Sequence, residues 1–343
     1  MLIVVQLLSL GDHTNPLSLN PSSITANTVN HQIILLNNGQ LPIMNSLPTT
    51  RRQFLAATCL AAAAPAINQI AAARDEKKLP FEISLAQWTI NRELKSGQID
   101  NLDFARVAHD HGILAIEYVN QFFMDKAHDK AYLAEMKKRA ADLGVASLII
   151  MCDREGNIGD PDETRRKQTV ENHRKWIDAA KFLKCHSIRV NAASSGTWQE
   201  QVNLAADGLA KLTEFGAEQD INVIVENHGG LSSNADWLGE VIKSVDHPRC
   251  GTLPDFGNFR IKDGESYDSY RGIEKLMPWA KGVSVKDLVW DDKGKQSPLD
   301  FDRMLRIVLA AGFNGYCGIE FGGYANLTQS RETLEQARQR LSA

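Results

Sequence analysis

Residues 222–230 read NVIVENHGG, a short apolar run that ends in an acid, an asparagine, a histidine and two glycines. Apolar runs of this length, bounded by turn residues, are typical of strands buried on both faces of a parallel sheet. Similar runs recur from residue 81 onward. The eight predicted strands are residues 83–88, 115–119, 147–151, 187–191, 222–227, 250–255, 282–286 and 316–320.

Amphipathic helical patterns separate these strands. Before strand five, apolar residues recur at helical spacing, at Val202, Ala205, Ala206, Leu209, Leu212 and Phe215. Glycines just before strands, at positions 112, 144 and 312, are expected to end helices. Strict alternation of strand and helix, repeated eight times, predicts an α/β fold, a single-domain (β/α)₈ TIM barrel. An open doubly wound sheet would need a glycine-rich phosphate loop after strand one, and residues 87–91 (QWTIN) do not resemble one.

Composition excludes several classes of protein. The 343-residue chain has a formal net charge of −4, with acidic and basic residues interspersed. No basic stripe appears, which argues against a nucleic-acid partner. None of the five cysteines forms a C-x-x-C pair, which argues against a zinc ribbon or a redox motif. The oligomeric state stays open, and a homo-oligomer is compatible with the sequence.

The beginning of the chain resembles an export signal. Paired arginines, Arg51 and Arg52, precede Phe-Leu and an alanine-rich apolar run, and small residues at 71–73 close it. This arrangement resembles the twin-arginine signal. The alternative, an alanine-rich amphipathic helix of the domain itself, lacks a recurring polar face.

These features predict three segments. Residues 1–43 are expected to be a disordered or non-native extension, with Met44 as the better start. Residues 44–73 are expected to be the signal, and residues 74–343 the barrel domain. The mature protein is then expected in the periplasm or cell envelope, without a membrane span.

Active residues of such barrels lie at the C-terminal ends of strands and in the loops that follow. Glu226, Asp255 and Glu320 stand at three of these ends. A carboxylate buried without a partner costs on the order of several kcal/mol, so burial implies pairing, protonation or a metal. Three carboxylate oxygens plus waters suit one hard divalent cation, manganese or magnesium. Each acid alone is equally well explained as a helix N-cap, but three in corresponding places weaken that alternative.

Four segments together resemble the motif series of the xylose-isomerase-like sugar isomerases and epimerases. They read VENHGG at 225–230, LPDFGN at 253–258, VSVKD at 283–287 and GIE at 318–320. The resemblance covers the whole of the expected mature chain, in order and spacing. It implies one metal held by a Glu on strand five, an Asp on six, a His on seven and a Glu on eight. These positions match Glu226, Asp255, Ser284 and Glu320.

The resemblance also implies a reaction. The metal chelates a carbonyl and its neighbouring hydroxyl and stabilises the enediolate as a Lewis acid. The glutamates matched by Glu226 and Glu320 lie on opposite sides of the substrate, where one removes a proton α to the carbonyl and the other returns one.

Several functions remain open on this scaffold. Isomerisation, epimerisation and β-elimination share the first proton transfer. A sugar isomerase or epimerase, a β-eliminating lyase on keto-glycosides and a non-catalytic carbohydrate-binding barrel therefore all fit, each with a small-molecule sugar or glycoside as partner. A DNA-repair endonuclease of the same fold would need clustered histidines and a basic groove, and this sequence lacks both.

Ser284 departs from the family pattern, which has a histidine at this position. Serine is a poor neutral ligand for a metal ion. Either His228, which points to the same side of strand five as Glu226, completes the metal shell, or water fills the place. Lys286 also points inward and is a candidate catalytic residue that binds an oxyanion or acts as an acid. The alternative for Lys286 is an ion pair with a neighbouring carboxylate.

Further inward-facing residues are candidate substrate contacts. They are Glu117, Asn191, His228, Asn258, Trp88 and Trp198, with the tryptophans stacking on a sugar face. A tryptophan is more often simply packed in a core, and His228 is equally well explained as a loop histidine bonded to backbone. His173 stands mid-helix between charged residues and is expected on the surface.

Overall fold

Eight parallel strands form one sheet in the computed structural model, which describes residues 79–342. The expected extension, export signal and start of the mature chain lie outside the described residues. The strands are β1 Glu82–Ala86, β2 Ala115–Val119, β3 Ala146–Met151, β4 Ser187–Val190, β5 Asn222–Glu226, β6 Cys250–Leu253, β7 Val283–Val285 and β8 Tyr316–Ile319. Their order in the sheet is β6-β5-β4-β3-β2-β1-β8-β7.

The two ends of this sheet, β6 and β7, come together through two isolated bridges, one of which pairs Asp255 with Ser284. Backbone hydrogen bonds support the joint. The Ser284 N–H donates to the Pro254 carbonyl at 2.9 Å, and the Phe256 N–H donates to the Ser284 carbonyl at 3.1 Å. The described residues therefore form a nearly closed (β/α)₈ TIM barrel, and this prediction from the sequence is confirmed.

Helices alternate with the strands. They are α1 Asn91–Ser96, α2 Phe104–Asp110, α3 Lys130–Asp142, α4 Glu163–Leu183, α5 Trp198–Glu218, α6 Ala235–Val245, α7 Ser269–Leu276, α8 Phe301–Ala310 and α9 Leu327–Ser342. Helix α5 begins with a capping box of Thr197 and Glu200, which satisfies free backbone N–H groups of its first turn. Gly112, Gly144 and Gly312 follow α2, α3 and α8 with φ of +72°, +66° and +78°, as predicted for helix ends.

Alternation along the strands decides which side chains enter the barrel. On β5, Val223 and Val225 pack outward into the large core between strands and helices. Ile224 packs inward, in a small apolar cluster inside the barrel. Glu226 lies two residues after Ile224 and therefore also faces the interior, at the C-terminal end of the strand. The barrel interior is thus apolar around Ile224 and polar at the C-terminal ends of the strands, which form the mouth of the barrel.

Two short antiparallel hairpins extend this mouth. Arg260–Lys262 pairs with Glu265–Ser266 after β6, and Leu288–Trp290 pairs with Gln296–Pro298 after β7. No helix among residues 79–342 has the length and apolar character needed to cross a membrane.

The expectation for His173 was wrong. Its side chain is only 3% exposed, and its ring Nδ1 lies 2.8 Å from the Thr169 carbonyl oxygen. His173 belongs to the buried face of α4, three residues after Val170 and four before Ile177. Helical spacing from these apolar residues outweighs the charged neighbours in sequence.

Candidate functional site

Three carboxylates converge at the C-terminal end of the barrel. Glu226 ends β5, Asp255 follows β6 by two residues, and Glu320 directly follows β8. One oxygen atom from each lies within 4.8 Å of the other two. Glu226 and Asp255 are buried, and the Glu320 side chain is 8% exposed. The sequence predicted this convergence, and the group offers ligands for a metal ion.

The loop after β6 fixes the orientation of Asp255. One carboxylate oxygen, Oδ1, accepts hydrogen bonds from the N–H groups of Gly257 and Asn258, both at 2.8 Å. The Asn227 side chain holds the Asp255 backbone on both sides, accepting from its N–H at 2.8 Å and donating to its carbonyl at 2.9 Å. Oδ2 of Asp255 is thereby directed to Ser284 and Lys286 at the centre of the site. Burial raises the pKa of Asp255 to about 7, against the opposing charge of Lys286.

Glu226 is held at both oxygens. Asn258 Nδ2 donates to Oε1 at 2.9 Å, and Arg189 Nε lies 2.8 Å from Oε2. The arginine contact is an ion pair rather than a well-aligned hydrogen bond. Burial raises the pKa of Glu226, while the Arg189 guanidinium opposes this and the Glu320 charge adds to it. Asn258, predicted as a substrate contact, here positions Glu226.

Ser284 and Lys286 bind the other side of the carboxylate group. Ser284 Oγ lies 2.9 Å from Asp255 Oδ2 and 3.0 Å from Glu320 Oε2, and its single proton serves one of them at a time. Lys286 Nζ donates to Glu320 Oε1 and lies 3.6 Å from Asp255 Oδ2. Burial alone would lower the pKa of Lys286, but Asp255 and Glu320 outweigh it and raise the pKa. The ion pair considered for Lys286 is confirmed.

Sequence reasoning missed Arg189, which lies on β4 with only 5% of its side chain exposed. Its Nη1 donates to Asp153 Oδ1 at 2.9 Å and to Asn191 Oδ1 at 3.2 Å. Asn191, a predicted substrate contact, also donates to Asp153 at 2.8 Å, and Gln121 donates to the other Asp153 oxygen at 2.9 Å. Burial raises the pKa of Asp153, but Arg189 and these amides hold it down at about 2.

Glu117 lies one layer deeper than the carboxylate group. It is fully buried, and Ser84 Oγ donates to its Oε1 at 2.6 Å. Its Oε2 has no hydrogen-bond partner among residues 79–342. A Cβ atom at Gly318 would stand 2.6 Å from Oε1, so the glycine makes room for the carboxyl group. Burial raises the pKa of Glu117 to about 8, so the group is neutral at pH 7.

A first cavity, of about 530 Å³, lies beside the carboxylates at the ends of β8 and β1. Trp88, Arg92, Glu320 and Tyr324 contribute to its lining. Lys95 Nζ lies over the Trp88 ring, 4.1 Å from the ring centroid.

A second cavity, of about 660 Å³, opens between the loops after β4 and β5 and the first hairpin. Trp198, Gln201, His228 and Lys262 contribute to its lining. Trp198 is 38% exposed and donates from its indole to Glu240 at 2.8 Å. The group of three carboxylates does not include His228, which is exposed in this cavity.

Comparison with known families decides the identity of this barrel. The family described as "Xylose isomerase-like TIM barrel" matches residues 105–342. The chain belongs to this family. No curated protein sequence matches the chain. The xylose isomerase-like fold is shared by solved structures at low identity, and these likenesses concern the fold.

Three solved structures illustrate the likeness. 3-Keto-D-glucoside 4-epimerase from E. coli has a TM-score of 0.58 and 15% identity, covering 75% of this chain and 99% of that chain. A xylose isomerase-like TIM barrel protein from Mycobacterium smegmatis, in complex with magnesium, has a TM-score of 0.59 and 16% identity, covering 77% and 98%. The IOLI protein with a binding zinc atom has a TM-score of 0.61 and 12% identity, covering 76% and 99%.

The donor set of this xylose isomerase-like barrel fits a hard divalent cation. Glu226, Asp255 and Glu320 offer oxygen ligands at the C-terminal ends of three strands, and the first cavity leaves room for waters. In this structure the Lys286 ammonium touches Glu320 and approaches Asp255. The residues therefore fit a cation once this ammonium leaves the oxygens that it contacts.

Proposed function

We propose that this protein is a sugar isomerase or epimerase that transfers a proton at the carbon next to a carbonyl, with one divalent cation at Glu226, Asp255 and Glu320. The observation that carries the proposal is the convergence of two glutamates, one at the end of β5 and one directly after β8, to within 4.8 Å of each other at the barrel mouth. Its fold relatives include a protein named as a keto-glucoside epimerase and one in complex with magnesium.

Glu226 is suited to remove the proton. Burial makes its carboxylate a stronger base, since water no longer stabilises the charged form. Arg189 favours the ionised form that a base requires, and Asn258 fixes the plane of the carboxylate. Removal of a proton from a hydroxyl-bearing carbon α to a carbonyl leaves an enediolate.

Glu320 is suited to return a proton, from the other side of the site. Ser284 Oγ lies 3.0 Å from its Oε2 and so fixes its orientation, and Lys286 contacts its Oε1 in the cation-free site. When bound, the divalent cation polarises the carbonyl oxygen as a Lewis acid.

Exchange of a carbon-bound proton with solvent tests this proposal directly. The purified protein with Mn²⁺ is incubated in D₂O with ketoses and with 3-keto-glucose, and deuterium at the α carbon is followed by NMR. We expect incorporation that stops when a chelator removes the cation. Absence of exchange with every keto-sugar would count against the proposal.

A second candidate is a β-eliminating lyase on keto-glycosides, favoured by the second cavity. Its volume of about 660 Å³ and the exposed Trp198 offer space for an aglycone, and its lining includes His228, two residues after Glu226. In a 3-keto-glucoside the proton leaves carbon 2 and the aglycone leaves carbon 1 with the bonding electrons. Release of nitrophenol from p-nitrophenyl 3-keto-glucoside separates elimination from epimerisation, which keeps the glycoside intact. Sugar binding without either reaction would favour the carbohydrate-binding barrel.

We also propose export by the twin-arginine route, on the sequence at Arg51 and Arg52. Cell fractionation of the wild-type chain and of the Arg51→Lys/Arg52→Lys double variant tests it. Periplasmic protein that disappears in the double variant is the expected result, and equal distribution of the two proteins contradicts it.

A further inference from the structure

The ammonium of Lys286 lies where two of the three carboxylates meet. It donates to Glu320 Oε1 and lies 3.6 Å from Asp255 Oδ2, and the side chain is 21% exposed. Ser284 Oγ contacts the same two carboxylates, at 2.9 Å and 3.0 Å. At the position where the family pattern has a histidine, this chain thus has a hydroxyl, with an ammonium two residues further on.

We propose that Lys286 is an internal counter-cation that competes with the divalent cation for Asp255 and Glu320. A divalent cation binds carboxylate oxygens at about 2.0 to 2.6 Å. An ammonium hydrogen-bonded to the same oxygens would then stand within a few ångströms of the metal, and the two positive charges would repel each other strongly at this depth. The two cations therefore occupy these oxygens alternately.

The side chain of Lys286 is able to make this exchange. Its stem is flexible, and its partial exposure gives the ammonium a route to water. Arg189, the other cation of the site, is held differently. It is 5% exposed and bound to both Glu226 and Asp153, so it stays in place whichever cation occupies the centre.

Two properties follow for the protein. The cation-free barrel keeps its carboxylates neutralised, so the fold does not depend on a metal. The affinity for a divalent cation is lower than three carboxylates without a lysine would give. This inference rests on the proposed function only in assigning the cation to the same carboxylates.

The test is a titration of the purified full chain and of Lys286→Met with Mn²⁺ by isothermal calorimetry. Methionine has a similar length and no charge. We expect Lys286→Met to bind Mn²⁺ at least about tenfold more tightly than the wild type, equivalent to about 1.4 kcal/mol. Lys293→Met, an exposed position in the second hairpin, changes net charge equally and should leave the affinity within about twofold of wild type.

Equal or weaker binding by Lys286→Met, or no binding by either protein, overturns the inference. Should the variant require Mn²⁺ to fold, it is prepared with the ion and the affinity is measured by chelator competition. Deuterium exchange into a keto-sugar judges the proposed function separately. Tighter Mn²⁺ binding by Lys286→Met, with no deuterium exchange by the wild type, supports the counter-cation and contradicts the proposed reaction. Deuterium exchange by the wild type, with equal Mn²⁺ affinities of the two proteins, supports the proposed reaction and contradicts the counter-cation.

Discussion

The guanidinium of Arg189 lies 2.8 Å from the carboxylate of Glu226, and both side chains are at least 95% buried. Removing one partner of a buried ion pair leaves the other charge uncompensated, at a cost of about 3 to 5 kcal/mol. We expect Arg189→Met to lower the free energy of unfolding by this amount, measured by urea denaturation at pH 7.

Two comparisons make this prediction specific. Arg165→Met removes an exposed arginine bonded to Asp160 and should cost less than about 1 kcal/mol. Adding Glu226→Gln to Arg189→Met removes the uncompensated charge and should recover part of the lost stability. No recovery in the double variant would show that the arginine acts by packing.

Glu226→Gln and Glu320→Gln are predicted to abolish the proposed reaction. Each variant removes a group that transfers a proton, and such groups contribute about 10²- to 10⁴-fold to the rate. Deuterium incorporation into the substrate should fall at least about 100-fold in each, with unchanged circular dichroism. Glu171→Gln, on the exposed face of α4, is the control and should exchange at the wild-type rate. Wild-type exchange in either site variant would exclude the two-glutamate mechanism.

Ser284→Ala should destabilise the barrel by about 1 to 3 kcal/mol, because Asp255 and Glu320 lose a buried hydrogen-bond donor. Thermal or urea denaturation measures this. Ser96→Ala removes an exposed hydroxyl bonded to the Glu93 carbonyl and serves as the matched control. Equal stability of the two variants would mean that the hydroxyl between the carboxylates is energetically neutral.

Glu117 is predicted to make stability fall as the pH rises. Its pKa is about 8 in the folded protein, against an ordinary value of 4.5. Between these values the folded protein keeps a proton that the unfolded chain has lost, so stability declines through this window and levels off above pH 8. The decline from this group is at most about 5 kcal/mol.

Urea denaturation of the wild type and Glu117→Gln at several values between pH 5 and pH 8 measures this decline. The difference in unfolding free energy between the two proteins should shift in favour of Glu117→Gln as the pH rises. Glu171→Gln should parallel the wild type throughout. A constant difference across the range would place an ionised glutamate inside the barrel.

Much of the fold and part of the site followed from the sequence. Strands buried on both faces are continuous apolar runs, so the sequence predicted the bounds of these strands to within two residues. Glu226, Asp255 and Glu320 each lie at or just after the end of such a run, and the nearly closed parallel barrel brings those ends to one mouth. Their convergence is a consequence of topology and needs no knowledge of side-chain contacts.

The partners of these carboxylates did not follow, because they depend on distances between strands. Arg189 is the charged residue of β4 and lies two residues before Asn191, so its inward direction was available from alternation. Its pairing with Glu226 and Asp153 could not be predicted from alternation. The sequence likewise did not decide whether Lys286 is a catalytic residue or forms an ion pair with a neighbouring carboxylate. Neither alternation nor spacing predicts that the three carboxylates converge without His228.

The bridge between Asp255 and Ser284 connects the carboxylate site to the closure of the barrel. The sheet begins at β6 and ends at β7, and isolated bridges, not a continuous ladder, close this one interface of the barrel. The same two residues stand at the centre of the carboxylate group. Asp255 follows β6, and Glu320 follows β8, the neighbour of β7. Any ligand that links Asp255 to Glu320 therefore also spans this interface, so occupancy and local opening of the barrel are thermodynamically coupled. The mouth of this barrel therefore holds both the proposed ligands of the cation and the joint that closes the sheet.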